Sequence, residues 1–491
     1  MAAETMVKPV TEYEVVIGLE IHAELLTDAK VWCGCSTKFG AEPNTQVCPV
    51  CMGLPGTLPV LNREAVAYAI KAGLALNCSI APEARFDRKH YFYPDLPKAY
   101  QITQNDHPLC RRGYVEFELG GETRRVGIHH IHLEEEAGKL MHAGDRLMEA
   151  EYSLIDYNRA GIPLIEIVTE PDIRSPEEAR VFLENLKSIL EYTRVSDCRM
   201  EQGSLRVDAN ISLRPKGSTK FGNKAEIKNL NSFRAVQRAL EYEVRRQTEI
   251  LQRGEEVAAE TRHWDETKGV TVAMRTKDEE DDYRYSPEPD IPPFEVDPAW
   301  VERLRAQLPE LPREKQQRFV EQYELPAYDA GVLTADAKVA DFFEACVAAY
   351  GKPKIVSNWL MGEFLRLLRE DGAEVQDVPL TPEGLAELLT LVDRGVISGS
   401  IGKEVFEDMF RTGKSAAAIV KERGLEQISD EGELAAVVDQ VIAENEDAAA
   451  KVRAGEMKTI GFLVGQVMQK TRGKANPKLV NELLRARLVQ E

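Results

Sequence analysis

Residues 204–214 read S-L-R-V-D-A-N-I-S-L-R. Ser204, Arg206, Asp208, Asn210, Ser212 and Arg214 alternate with Leu205, Val207, Ala209, Ile211 and Leu213. Successive side chains of a strand point to opposite faces. One face of this strand is therefore wholly apolar, while the other carries an acid, an amide, two hydroxyls and two guanidiniums. A solvated strand favours Lys, Glu and Thr. An Asp between arginines, with an Asn beside it, suits phosphate and a divalent cation instead.

Other segments carry chemistry of the same kind. In V-V-I-G-L-E-I-H-A-E-L (15–25), Glu20, His22 and Glu24 share one strand face and Leu19, Ile21 and Ala23 the other. A carboxylate two residues from an imidazole is half of a metal site, or else the charged outer face of a surface strand. H-H-I-H-L-E-E-E-A-G-K (129–139) packs three histidines and three glutamates into eight residues. Acids this close repel unless a cation or basic side chains hold them. Strand parity places His130, His132 and Glu134 together with Glu135 opposite, and a bulge would reverse that, so both glutamates are candidates. The competing reading is an acidic helix start. Hard oxygen ligands favour Mg²⁺ bridging to phosphate; His22 is the softer exception.

Basic and aromatic residues are interleaved in F-D-R-K-H-Y-F-Y-P-D-L-P-K-A-Y-Q (86–101), with Arg88, Lys89 and Lys98. Such a stretch grips phosphate or stacks a base, or forms an aromatic cluster under snorkelling cations. D-D-Y-R-Y-S-P-E-P-D (281–290) sets Arg284 between tyrosines, and K-A-E-I-K (224–228) puts Lys224, Glu226 and Lys228 on one face.

Four of the eight cysteines cluster as C-G-C (33–35) and C-P-V-C (48–51), with twelve residues between the pairs. Cys33, Cys35, Cys48 and Cys51 form a closed tetrahedral set for structural Zn²⁺, which leaves no open position for catalysis. A redox pair or unliganded thiols are the alternative.

At 491 residues the chain is long enough for about three domains. Its net charge of −20 repels nucleic acid overall, so RNA must meet a local basic surface. The best such patch is the C-terminus, where Lys470, Arg472, Lys474 and Lys478 flank a Gly-Lys-Ala-Asn-Pro turn; a solvated helix face is the alternative. No apolar run reaches membrane length. The N-terminal stretch offers no hydrophobic signal region, so no membrane association and a cytoplasmic location are expected. Strand-like texture runs to about residue 295. Proline-bearing segments at Asp290–Pro298 and Asp377–Pro382 suggest a catalytic domain over 1–295, a helical domain over 296–376 and a helical tail over 377–491. Ser429 is expected to cap a tail helix, and Asn476-Pro477 to open the last one. Thr412-Gly413-Lys414-Ser415 is not a phosphate loop, because Asp408 stands where the first glycine is needed. No dinucleotide fingerprint, H-E-x-x-H or G-x-S-x-G elbow is present, so ATP chemistry here would proceed without a P-loop.

Several long phrases together carry a resemblance: V-I-G-L-E-I-H, the 86–101 phrase, S-L-I-D-Y-N-R-A-G-I-P-L-I-E-I-V-T-E-P-D-I (153–173), E-Q-G-S-L-R-V-D-A-N-I-S and D-Y-R-Y-S-P-E-P-D. They resemble the B-subunit family of the bacterial glutamyl-tRNA(Gln)/aspartyl-tRNA(Asn) amidotransferases over essentially the whole chain. The resemblance implies an α+β, glutamine-synthetase-like cradle on an antiparallel sheet, followed by helical middle and tail domains. It implies a ligase that uses ATP and Mg²⁺ to turn misacylated Glu-tRNA or Asp-tRNA into an acyl phosphate, which ammonia converts to Gln-tRNA or Asn-tRNA. The implied partners are an amidase-family glutaminase subunit and a small clasping subunit in a heterotrimer, misacylated tRNA, and a non-discriminating aminoacyl-tRNA synthetase. By motif match, Glu20, His22, Glu135 and Asp208 are the Mg²⁺ candidates. Glu134 and Arg206 join Glu135 and Asp208 as catalytic candidates. Lys89, Lys98, Arg284 and Asn210 are assigned to substrate, ATP or the ammonia path, and the four cysteines to zinc. The family match favours Glu135 where parity favours Glu134. A zinc-stabilised tRNA-binding scaffold without chemistry is the competing function, and the carboxylates gathered beside arginines argue against it.

Overall fold

The computed structural model describes residues 12–142, 152–276, 283–425, 431–471 and 473–489. The chain divides into two compact units, one through Arg313 and one from Glu314 onward.

Among the described residues of the first unit, nine strands form one sheet: β1 (Tyr13–Glu24), β2 (Ser79–Ile80), β3 (Cys110–Leu119), β4 (Glu122–Glu135), β5 (Pro163–Thr169), β6 (Leu205–Pro215), β7 (Ala225–Leu230), β8 (Glu260–Asp265) and β9 (Val270–Thr276). Their order is β9-β8-β7-β6-β1-β5-β4-β3-β2. The expected antiparallel sheet is in fact mixed. Every neighbouring pair is antiparallel except β7 and β8. The reason is the connection: a parallel neighbour needs a crossover, and the helix Phe233–Gln252 supplies it.

The alternation read in the sequence decides which face is covered. Ile17, Leu19, Ile21 and Ala23 of β1 and Leu205, Val207, Ala209 and Ile211 of β6 are buried. Onto them pack α1 (Arg63–Ala75), α2 (Pro176–Tyr192) and α3 (Phe233–Gln252), through Ile70, Phe182, Leu186, Val236 and Leu240 among others. The helix starts follow local chemistry. Ser175 Oγ accepts from Glu178 N at 3.1 Å with Pro176 in the first turn, and Ser232 Oγ accepts from Ala235 N at 3.0 Å. A separate three-stranded sheet pairs Arg284–Pro287 with Asp87–His90, and the latter with Tyr100–Thr103.

The boundaries drawn at the proline-bearing segments differ from the way the cores divide. Ile291 and Val296 are buried in the first core, and Phe294–Glu295 pairs with Glu83–Ala84. The helix Pro298–Ala306 then adds Leu304 to the same core. Here proline marks an irregular path, not the end of packing. In the second unit, Leu380, Leu385, Leu388 and Leu389 join Phe319, Phe343 and Phe364 in one core that runs across residue 377. Residues Leu434 to Leu488 build a further core of their own. Asn476 caps the last helix, accepting from Lys478 N at 3.0 Å and Leu479 N at 3.3 Å; Ser429 lies outside the described residues. Among the described residues no helix is long and apolar enough to cross a membrane.

One close approach fixes where β3 crosses the turn after α1. A Cβ added at Gly113 would collide with the Leu76 carbonyl oxygen and the Cys78 sulfur. Gly113→Ala should therefore destabilise the first unit by about 1–3 kcal/mol, an overpacking cost, measured as a lower midpoint in urea with unchanged m-value.

Candidate active site

Strand pairing brings distant acids together on the uncovered face. In the β1–β6 register Glu20 stands opposite Asp208, His22 opposite Arg206 and Gly18 opposite Asn210. On the other side of β1, His22 stands opposite Glu166 of β5. Glu166 in turn faces His132 of β4, and Leu164 faces Glu134.

The tightest group is His22, Glu134 and Glu166. One ligand atom from each lies within 4.8 Å of the others. His22 Nε2 is 3.2 Å from Glu166 Oε2 and 3.8 Å from Glu134 Oε1. His132 Nε2 bridges the same carboxylates, 3.3 Å from Glu134 Oε2 and 3.4 Å from Glu166 Oε2. Thr103 Oγ1 donates to Glu134 Oε2 at 3.0 Å. Burial is the largest influence on both rings and disfavours their charged form. Glu166 and Glu134 overrule it, so His22 and His132 titrate above the ordinary histidine value. Burial likewise opposes ionisation of Glu134 and Glu166, yet the two imidazoles hold both below the usual carboxylate range. A buried and a half-buried carboxylate converging with an imidazole on one point fit a divalent cation that keeps water among its other ligands.

Glu20 and Asp208 extend this face without joining the triad. Asn210 Nδ2 donates to Glu20 Oε1 at 2.9 Å, and Lys228 Nζ lies 2.7 Å from both Asp208 Oδ2 and Glu226 Oε1. Burial, then the charges of Glu166 and Glu226, push the Glu20 carboxyl up. Glu24 is pushed up to about 7, chiefly by burial and then by Glu136. Beside Glu20 opens a cavity of about 290 Å³, lined by Gly18, Val168, Asn210, Phe221 and Lys224 among others.

Of the four residues matched to Mg²⁺, the structure thus groups only His22 with a shared ligand set. Glu135 instead accepts from Lys98 Nζ and from Ile102 N, the latter at 2.9 Å. Parity explains this: Glu134 follows His132 by two residues and shares its face, whereas Glu135 is turned toward Tyr100–Thr103. Arg206 donates to Glu136, which also lies 4.0 Å from Arg159. Lys89 sits 4.4 Å from the ring centre of Tyr283, and Arg284 stands opposite His90 at the edge of the three-stranded sheet. The sequence reading missed Glu166, His132 as a bridging group, and Lys228 as the partner of Asp208. The signal for Glu166 was present: a lone acid inside P-L-I-E-I-V-T (163–169).

The four cysteines converge, their sulfurs lying within 4.8 Å of one another. Cys48 Sγ and Cys51 Sγ are 3.9 Å apart, against about 3.8 Å for two ligands about 2.3 Å from a tetrahedral zinc. The Cys51 thiol is held well below its ordinary value, first by the hydrogen bond with Cys33 and then by Cys48 and Lys30. This set fits zinc. In the tail, Lys470 pairs with Glu444 at 2.6 Å, Lys474 donates to the Gly424 carbonyl, and Lys478 lies in the first turn of the last helix. Arg472 lies outside the described residues.

Two family models match the chain: the GatB/GatE catalytic domain over residues 15–302 and the GatB domain over residues 341–488. Curated relatives align over nearly their whole length. The aspartyl/glutamyl-tRNA(Asn/Gln) amidotransferase B subunit of Caldanaerobacter subterraneus subsp. tengcongensis is 62% identical over 97% of this chain and 99% of its own. The proteins of the same name from Carboxydothermus hydrogenoformans and Moorella thermoacetica are 58% and 57% identical, covering 98% and 97% of this chain and 99% and 100% of theirs. The matched catalytic domain takes in every strand of the polar face just described, and the chain belongs to the GatB family of amidotransferase B subunits.

Proposed function

We propose that this chain activates and amidates the side-chain carboxylate of misacylated Glu-tRNA(Gln) or Asp-tRNA(Asn) at the polar face of its sheet. The observation that carries the reading is the convergence of His22, Glu134 and Glu166 beside Lys228, Arg206 and the cavity at Glu20. His22, Glu134 and Glu166 would hold Mg²⁺, and that ion would supply positive charge to offset charge on the transferring phosphoryl group. Gly18, Val168 and Phe221 offer the nucleotide an apolar wall, with Asn210 and Lys224 supplying polar contacts. The substrate carboxylate attacks the terminal phosphorus of ATP, ADP leaves, and an acyl phosphate forms. Ammonia then attacks the acyl carbon, phosphate departs with the bonding electrons, and the nitrogen loses a proton to leave the amide. Lys228 and Arg206 offset negative charge that builds on the phosphate oxygens.

Lys98 and Glu135 form a buried pair at the side of this basin, suited to passing ammonia from an amidase-family glutaminase subunit while water is excluded. A small third subunit clasps the pair in a heterotrimer, and a non-discriminating synthetase hands over the tRNA. The exposed rings of Tyr283, Tyr285 and Phe92, with Lys89 against Tyr283, suit stacking of the terminal adenosine. The glutamine-synthetase-like cradle is the fold-level reading of the same sheet, and the cytoplasm is where its tRNA substrate resides.

In the assembled complex, Glu134→Ala and Glu166→Ala should abolish ATP-dependent amidation of both misacylated tRNAs while glutaminase turnover persists. Full amidation by both variants would overturn the assignment. Because a protonated ring cannot ligate and His22 titrates above its ordinary value, apparent Mg²⁺ affinity should rise with pH across the neutral range; Mg²⁺ titrations at about pH 6 and about pH 8 read this. For the tail, truncation after residue 430 removes one discrete core. It should weaken tRNA binding and flatten the slope of log affinity against log salt, leaving amidation at saturating tRNA in place. An unchanged slope would show that the basic residues are ordinary solvated surface.

A further inference from the structure

One buried charge stands apart from the polar face. Lys30 is 0% exposed. Its Nζ lies 3.6 Å from Cys51 Sγ and 3.3 Å from the carbonyl oxygen of Tyr157. A single carbonyl and one sulfur are incomplete compensation for an ammonium taken out of water. Four thiolates around a divalent cation leave a net charge of −2 on the cluster, and an ammonium touching one sulfur offsets part of it. The two charges thus solve each other's desolvation.

The backbone holds Lys30 to this task. Lys30 N donates to Cys35 O at 2.9 Å, and Val31 N donates to Gly161 O at 2.9 Å. Gly161, at φ +88°, lies over the lysine stem, and a Cβ there would sit 3.5 Å from Lys30 Cδ and 3.6 Å from Cys51 Cβ. The same loop continues to the active-site side: Gly161 N donates to Glu136 O and Glu136 N to Ile162 O, both at 2.9 Å. Lys30 therefore stands between the cysteine knot and the loop before β5, whose backbone pairs with that of Glu136, the carboxylate that accepts from Arg206.

We propose that Lys30 is a positioning residue of the cysteine knot, its buried ammonium compensating the thiolate charge and setting how tightly the knot retains Zn²⁺. This rests on the reading that the four cysteines hold zinc, and the test separates the two. Outer partners of metal ligands typically change affinity by about 10–100-fold. Full-length Lys30→Met, which keeps the stem volume and removes the charge, should lose at least about tenfold in Zn²⁺ affinity in competition with a chromophoric chelator. The zinc-free variant should melt at or above the temperature of zinc-free wild type, because without Lys30 the Cys51 sulfur can stay protonated and no buried charge pair has to be kept out of water. A mere packing role would lower both forms alike. Zinc-loaded wild type with an unchanged Lys30→Met affinity overturns the inference; wild type that takes up no zinc overturns the zinc reading itself. Should Lys30→Met not fold, ¹⁵N-lysine-labelled wild type decides. One slowly exchanging ammonium signal should shift when Zn²⁺ is replaced by Cd²⁺, and a signal indifferent to the metal refutes the proposal.

Discussion

The pairing of β1 between β5 and β6 is the constraint on which the site depends. His22 can meet Glu166 on one side and stand beside Arg206 on the other only if both registers hold. A slip of one residue in either would turn every acid into the helical layer and every Leu and Ile into the basin. The apolar half of the alternation prevents that slip. Ile17, Leu19, Ile21 and Ala23 are buried against the three helices, and their exposure would cost far more than any rearrangement of surface charge could return. Hydrophobic burial thus aligns the carboxylates, although it contributes none of their chemistry.

The polar face is left with unequal compensation. Asp208 and Glu226 have Lys228, Glu136 has Arg206, and Glu134 and Glu166 share two imidazoles. Glu20 and Glu24 fare worse: burial and neighbouring acids push both carboxyls upward, Glu24 to about 7. A negative basin of this kind draws in cations. Hydrogen bonds to the triad from Thr103 and His132 hold the carboxylates in place before any ligand enters, which lowers the reorganisation needed during reaction.

The cysteine knot is tied into the same architecture. Gly53, at φ +64°, leaves room for the Lys98 side chain, and any Cβ there would collide with it. Lys98 is the partner of Glu135, and Lys30 links Cys51 to the loop before β5. Two lysines thus touch the cysteine segment, Lys98 against Gly53 and Lys30 against Cys51.

The alternations in 15–25 and 204–214, the four-cysteine spacing and the long family phrases were legible in the chain, because each is written in local order with period 2 or fixed spacing. Local order also placed Glu134 beside His132 by parity, even though motif matching pointed to its neighbour. Glu166, the bridging role of His132, the Lys228–Asp208 pair and the parallel β7–β8 pairing were not legible. They depend on which strand lies beside which, and that choice is made by long-range packing of the helices against the apolar face. The sequence by itself determined which side chains share a face. The tertiary structure alone decided which faces meet, because contacts between residues far apart in the chain are selected by burial and closure of the whole sheet, not by any local preference.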